Sequence, residues 1–160
     1  MLPDAIRCFK SPLSDGGRLA CRTPGASPSG VDANRGIERV VAAAGTDADV
    51  LAVILYGSHA RAEAQPGSDV DLCLVLTPAR RDAAEVGRIL LGYASLGDVD
   101  VQVFQRLPLY VRRRVLKEGR VLFVRDEDAL YEEAFRTVRA WELFRPRYEA
   151  YLAEVARGGS

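Results

Sequence analysis

The 160-residue chain predicts an α/β (α+β) sandwich, a sheet of about four strands flanked by helices. Three observations carry that expectation. Four short apolar runs, at 49–57, 69–76, 98–104 and 119–124, are rich in Val, Leu and Ile and read as strands. The segments between them repeat apolar residues at i, i+3, i+4 and i+7, the stripe of an amphipathic helix. The length suits one domain with a core of its own.

Taken in order, residues 1–33 hold four of the eight prolines, at 3, 12, 24 and 28, among dense Gly and Ser. No period of 2 or 3.6 persists there, so a disordered arm is expected. Order is expected from Asn34. Ile37, Val40, Val41 and Ala44 form a helical stripe that Gly45 ends. "DVLAVILYG" is a buried strand stopped by Gly57. "SHARAEA" is a short helix with Ser58 as its N-cap, and "QPGS" a turn. "DVDLCLVL" is the second strand, closed by Thr77-Pro78. Val86, Ile89, Leu90 and Tyr93 mark a helix over 80–93. "DVDVQVF" alternates as a third strand, Pro108 suits the first turn of a helix to Glu118, and "GRVLFV" is the fourth strand. A helix then runs from Asp126 to Arg145, where Pro146 is expected to kink or break it. A last helix carries Tyr148, Tyr151, Leu152 and Val155 on one stripe, to pack on the domain or dock a partner helix. These assignments give a core at 34–125 and C-terminal helices over 126–160.

Composition excludes several classes. Hydrophobic residues are 48% and charged residues 28%, as in ordinary globular proteins. Lys plus Arg equal Asp plus Glu at 22 each, so no charge excess draws the chain to bulk nucleic acid or an anionic membrane. No apolar run approaches the roughly 20 residues of a membrane helix. The first residues lack the apolar stretch of a secretory leader. Cys8, Cys21 and Cys73 have neither metal-ligand spacing nor an even count, and a reducing, cytoplasmic setting is expected.

The chemistry concentrates in "YGSHARAEAQPGSDVDLCLVL", 56–76. Alternation along a strand puts Asp69 and Asp71 on one face, about 6–7 Å apart. Two carboxylates that close repel each other, and a hard divalent cation such as Mg²⁺ is their natural partner. Gly57 and Ser58 stand where a strand gives way to a helix. Free backbone N–H groups there suit a phosphate, and Gly lets the backbone approach it.

Gly-Ser, ten residues, then Asp-x-Asp resembles the motif of the DNA polymerase β superfamily of nucleotidyltransferases. At average composition, the four fixed positions would arise by chance in about 1 in 400 chains of this length. The matching context in "GSHAR" and "SDVDLCLVL" lowers that further. The resemblance implies a polymerase-β-like core with a mixed sheet, ATP as substrate and Mg²⁺ as cofactor. It implies that Asp69 and Asp71 bind metal. It implies that Gly57, Ser58, Arg61 and Ser68 bind the nucleotide. A third carboxylate is expected on the neighbouring strand, where Asp100 is the match and Asp98 the runner-up; it would also bind metal and take the acceptor's proton.

Within that superfamily the chain resembles the minimal, MNT-type enzymes, over roughly residues 36–145. "RRRVLKEGRVLFVRDEDALYEEAFRTVRAW" is similar to the segment that follows the third Asp in antitoxins paired with HEPN ribonuclease toxins. The implied reaction moves AMP from ATP to a tyrosine of the partner toxin. Ala62 stands where the family usually has Gly, and the first 33 residues have no counterpart.

The remaining features have plainer readings. His59 is a first-turn surface residue before it is a base. Arg61 either meets phosphate or pairs with an acid. Cys73 continues the carboxylate face of its strand but belongs to the core. Arg112, Arg113, Arg114, Lys117 and Arg120 read as one solvated helix face, since no aromatics interleave with them as a single-strand binder needs. Small-molecule nucleotidyltransferases usually add a helical substrate domain, for which the 36 residues after Val124 are too few. The acceptor is therefore expected on a partner protein. A stand-alone transferase for a small hydroxylated molecule and an antitoxin acting by binding alone are the alternatives.

Overall fold

The computed structural model describes residues 28–61, 69–79 and 82–158, with side chains from residue 34 onward. The elements are α1 (Pro28–Thr46), β1 (Val50–Tyr56), α2 (Gly57–Ala60), β2 (Asp71–Leu76) and α3 (Ala83–Ala94). They continue with β3 (Asp100–Val103), a 3-10 turn (Phe104–Arg106), α4 (Leu109–Glu118), β4 (Arg120–Val124) and α5 (Glu127–Gly158). The four strands form one mixed sheet in the order β3-β2-β1-β4. β1 runs antiparallel to both β2 and β4, whereas β2 and β3 are parallel. The expected fold class is the one observed.

Both faces of the sheet are covered, which explains why β1 and β2 read as near-continuous apolar runs. On one face Val53, Leu55, Leu72, Leu74 and Val101 pack with Val40 and Ala44 of α1 and Tyr93 of α3. On the other, Ala52, Ile54, Cys73 and Val75 pack with Val115 and Leu116 of α4 and Leu130 and Ala134 of α5. Phe104 is fully buried in the second cluster.

Local chemistry fixes the element ends. Asp82 caps α3 by accepting from the Glu85 N–H, and Glu85 returns the bond to the Asp82 N–H, a reciprocal box in "DAAE". Arg125 follows β4 and donates to the carbonyls of Ala44, Gly45, Asp47 and Val50. One guanidinium thus satisfies the open C-terminal end of α1 and ties it to the sheet. Tyr93 donates its hydroxyl to Asp47 at 2.9 Å, adding a second tie.

Several expectations need correction. α1 begins at Pro28, six residues ahead of the expected start. Ser58 is not the cap of α2: Tyr56 is, and Ser58 lies inside the helix. The positive φ of Gly57, 73°, turns the chain out of β1 at once, so the helix is capped two residues sooner. Residues 62–68, with Ser68 and the expected turn, lie outside the described residues. Pro146 does not break the last helix, because α5 is continuous from Glu127 to Gly158. Nor do all the stripe residues after it reach the domain. Tyr148 does, stacked on Tyr110 at 5.7 Å, but Tyr151, Leu152 and Val155 remain exposed. The arginines of α4 are not one solvated face. Arg112 folds back to donate to the carbonyls of Leu107 and Gln105 and lies over Phe104, and Arg113 lies over Trp141.

Candidate active site

The parallel register of β2 and β3 sets Asp71 directly beside Asp100. Each opens its strand, so both carboxylates stand at the same edge of the sheet. The Asp100 N–H donates to the Val70 carbonyl at 2.8 Å, fixing that register. Gln102 donates to the Asp100 carboxylate at 3.0 Å. Asp98, exposed in the loop before β3, has no strand position opposite β2. Asp69 is exposed in the segment that leads into β2.

β1, antiparallel to β2, ends at the same edge. Tyr56 pairs with Asp71, and Gly57 follows. A Cβ on Gly57 would fall 2.0 Å from Oδ2 of Asp71. The glycine is therefore required twice, for its positive φ and for the space the carboxylate occupies. α2 starts there, with Ser58, His59 and Arg61 half-buried around it.

The electrostatics follow from that crowding. Burial pushes the Asp71 carboxyl above its ordinary range, and the like charges of Asp100 and Asp69 push it further; His59 and Arg61 partly offset them. Burial also pushes the Tyr56 phenol up, with Cys73, Asp71 and Asp100 adding to the effect. A half-buried carboxylate repelled by two neighbours is a site that a cation stabilises. The donors are hard oxygens, which suits Mg²⁺. Among the described residues, no three His, Cys, Asp or Glu side chains form a ready-made metal cage. A cation at Asp71 and Asp100 would thus be completed by nucleotide and water oxygens, as is usual for Mg²⁺.

A cleft of about 230 Å³ opens beside the Asp71 carboxylate, lined by Tyr56, Gly57, Asp71, Tyr110, Val111, Arg114, Val115 and Glu118. Glu118 is the hinge of its charge pattern. Arg61 reaches one oxygen of Glu118 at 3.1 Å and Arg114 reaches the same oxygen at 3.2 Å. Burial raises the Glu118 carboxyl, but the two guanidinium bonds outweigh it and hold the group below its ordinary range. Arg61 thus pairs with an acid in this structure, one 57 positions away in sequence.

The fold brings together Gly57, Ser58, Arg61, Asp69, Asp71 and Asp100, while Ser68 falls outside the described residues. Sequence reasoning missed Tyr56, Tyr110, Arg114 and Glu118. The i, i+4 spacing of Arg114 and Glu118 was legible as a helical ion pair. Its approach to Arg61 depends on how α4 crosses the end of β1, which no local pattern encodes. Cys73 is fully buried and free, in the core as expected.

Comparison with known proteins bears on the family and the fold. Residues 38–128 match the family described as "Polymerase beta, Nucleotidyltransferase". A Methanocaldococcus jannaschii protein named as a protein adenylyltransferase is 32% identical over 92 residues, spanning 58% of this chain and 70% of that protein. Among solved structures, a chain of a toxin–antitoxin crystallised with AMP-PNP superposes with a TM-score of 0.59 at 17% identity, covering 76% of this chain and 96% of that one. A chain from the complex of a tri-AMPylated Shewanella oneidensis HEPN toxin with its MNT antitoxin gives 0.53 at 17% identity, covering 79% and 97%. At such identities these two likenesses speak to fold alone. No described helix is long and apolar enough to cross a membrane.

Proposed function

The chain belongs to the polymerase beta nucleotidyltransferase family, and from that premise we propose that it is a Mg²⁺-dependent protein adenylyltransferase. In this reading it is the antitoxin of a pair, acting in the cytoplasm to move AMP from ATP onto a tyrosine of a HEPN-type toxin. The observation that carries the reading is the Asp71–Asp100 pair set in register beside a glycine whose missing side chain makes room for the carboxylate. The relative named for protein adenylylation and the neighbours from toxin–antitoxin complexes support the choice of acceptor.

The residues divide the work as follows. Backbone N–H groups at Gly57 and Ser58 hold the terminal phosphates of ATP. Asp69, Asp71 and Asp100 would hold the divalent cation, which supplies positive charge against the triphosphate and the crowded carboxylates. Asp100, exposed at the open end of β3, would take the proton of the acceptor hydroxyl. The phenolic oxygen attacks the α-phosphorus, its bond to phosphorus forms, the α–β phosphoanhydride breaks, and pyrophosphate leaves. Positioning the two reactants in line supplies much of the acceleration.

The test uses purified protein, labelled ATP, Mg²⁺ and the product of the neighbouring gene. An adenylyl mass gain on a tyrosine of that product is expected, and it should disappear with Asp69→Asn or Asp71→Asn. Full transfer by both variants would overturn the site assignment. A tight complex with no mass gain would replace the enzymatic reading by neutralisation through binding.

A further inference from the structure

The apolar seam that seals α5 onto the domain continues past the domain's edge. Leu130, Ala134, Thr137 and Trp141 are buried, at spacings of four, three and four. Phe144, Tyr148, Tyr151 and Val155 extend the series at three, four, three and four. Alternate steps of three and four are the heptad pattern by which one helix receives another. The domain supplies the first half of that partnership through α4 and β1. It covers Phe144 and Tyr148 only in part. Tyr151 is 61% exposed, Val155 54%, and Leu152 at their flank 47%. Pro146, which lacks the N–H of a regular helix, lies on the side away from the seam and leaves it unbroken.

The charges beside the seam select the second helix. With Tyr148 at an a position and Tyr151 at d, the g positions of the free half are Arg147 and Glu154. Two copies laid antiparallel can layer Phe144 on the second copy's Val155, and Tyr148 on the second copy's Tyr151. In that register Arg147 of each copy meets Glu154 of the other, so two ion pairs form by symmetry. A parallel arrangement faces Arg147 with Leu152 and forms neither pair. Sliding the antiparallel pair by one heptad sets Glu154 against Glu154. The segment is self-complementary in one register, as a two-fold interface requires.

We propose that the chain self-associates through antiparallel pairing of the second half of α5, residues 144–155. The interface is short, so the dimer is concentration-dependent. Its near end adjoins the cleft, since Tyr148 stacks on Tyr110 of the cleft wall, while Tyr151, Leu152 and Val155 carry it outward; the proposal does not rest on the enzymatic reading.

Sedimentation of the full chain over a dilution series tests it. Wild type should move from monomer to dimer as concentration rises, and added salt should weaken the association. Tyr151→Glu and Val155→Glu alter exposed residues, so circular dichroism should stay native while the dimer is lost. Arg147→Glu and Glu154→Arg should each weaken the dimer about tenfold, since each puts like charges together twice. The double variant Arg147→Glu/Glu154→Arg should restore it. A monomer at every concentration would overturn the proposal. So would a dimer indifferent to Val155→Glu, or a double variant no better than either single one.

Discussion

Replacing Gly57 by alanine separates the two demands the fold places on that position. The first is backbone conformation. At φ 73° an L-residue incurs about 1–2 kcal/mol, which in a domain of this size lowers Tm by roughly 3–6 °C. The second is space. The new Cβ would lie 2.0 Å from Oδ2 of Asp71, and contacts below 3.0 Å are not sustained. The carboxylate, the movable end of its side chain, must withdraw by about 1 Å. That movement costs little in stability, but misplacement on this scale at a reacting centre costs about 10²-fold in rate. Thermal melts and transfer of label from ATP read the two effects apart. Gly57→Asn, which tolerates positive φ better but still carries a Cβ, should recover stability and not activity. Gly87→Ala in α3 meets nothing within 4 Å and should be neutral or stabilising by up to about 1 kcal/mol. If Gly57→Ala melts and turns over like wild type, the link between this glycine and the Asp71 carboxylate is wrong. If it melts lower but keeps full turnover, the carboxylate's position does not matter to the reaction.

Other predictions rest on separate features. Because the Asp71 carboxyl is raised in the folded state, the folded chain binds more protons than the unfolded one as pH climbs from the ordinary value of 3.8 through the raised one. Its contribution to stability is therefore full below that window and lost above it. At neutral pH Asp71→Asn should melt no lower than wild type, and Mg²⁺ should raise the Tm of wild type but not of the variant. A lower Tm for Asp71→Asn without metal would contradict the electrostatic account. Arg125→Ala, which removes donors from four carbonyls at the end of α1, should cost about 1–2 kcal/mol in urea unfolding and leave transfer intact once folded. Phe104→Ala, in a fully buried position, should cost about 3–5 kcal/mol by the same assay. Glu118→Gln should weaken the hold on Arg61 and Arg114 beside the cleft and change the KM for ATP more than the melting temperature; an unchanged KM would show that the pair plays no part in the nucleotide site.

The sequence by itself determined the features that are local in the chain. The four strands are legible because apolar, β-branched runs between turns have few other solutions, and the helical stripes because their period is set by the helix. Gly57, Ser58 and Asp71 belong to one strand–helix–strand unit, so their juxtaposition follows from spacing, whereas Asp69 lies ahead of β2, outside the alternation expected to align it with Asp71. Tertiary structure decided what spacing cannot reach. Asp98 and Asp100 are equivalent in an alternating segment until the parallel register of β3 on β2 sets Asp100 beside Asp71. Glu118 joins Arg61 only because α4 crosses the end of β1. Pro146 stays within a helix because its side of α5 faces no neighbour, so the lost hydrogen bond is left to water rather than buried. The local chain fixed which groups could do chemistry, and long-range packing fixed which of them meet, because a strand's neighbours are chosen by the whole sheet and its two covering layers.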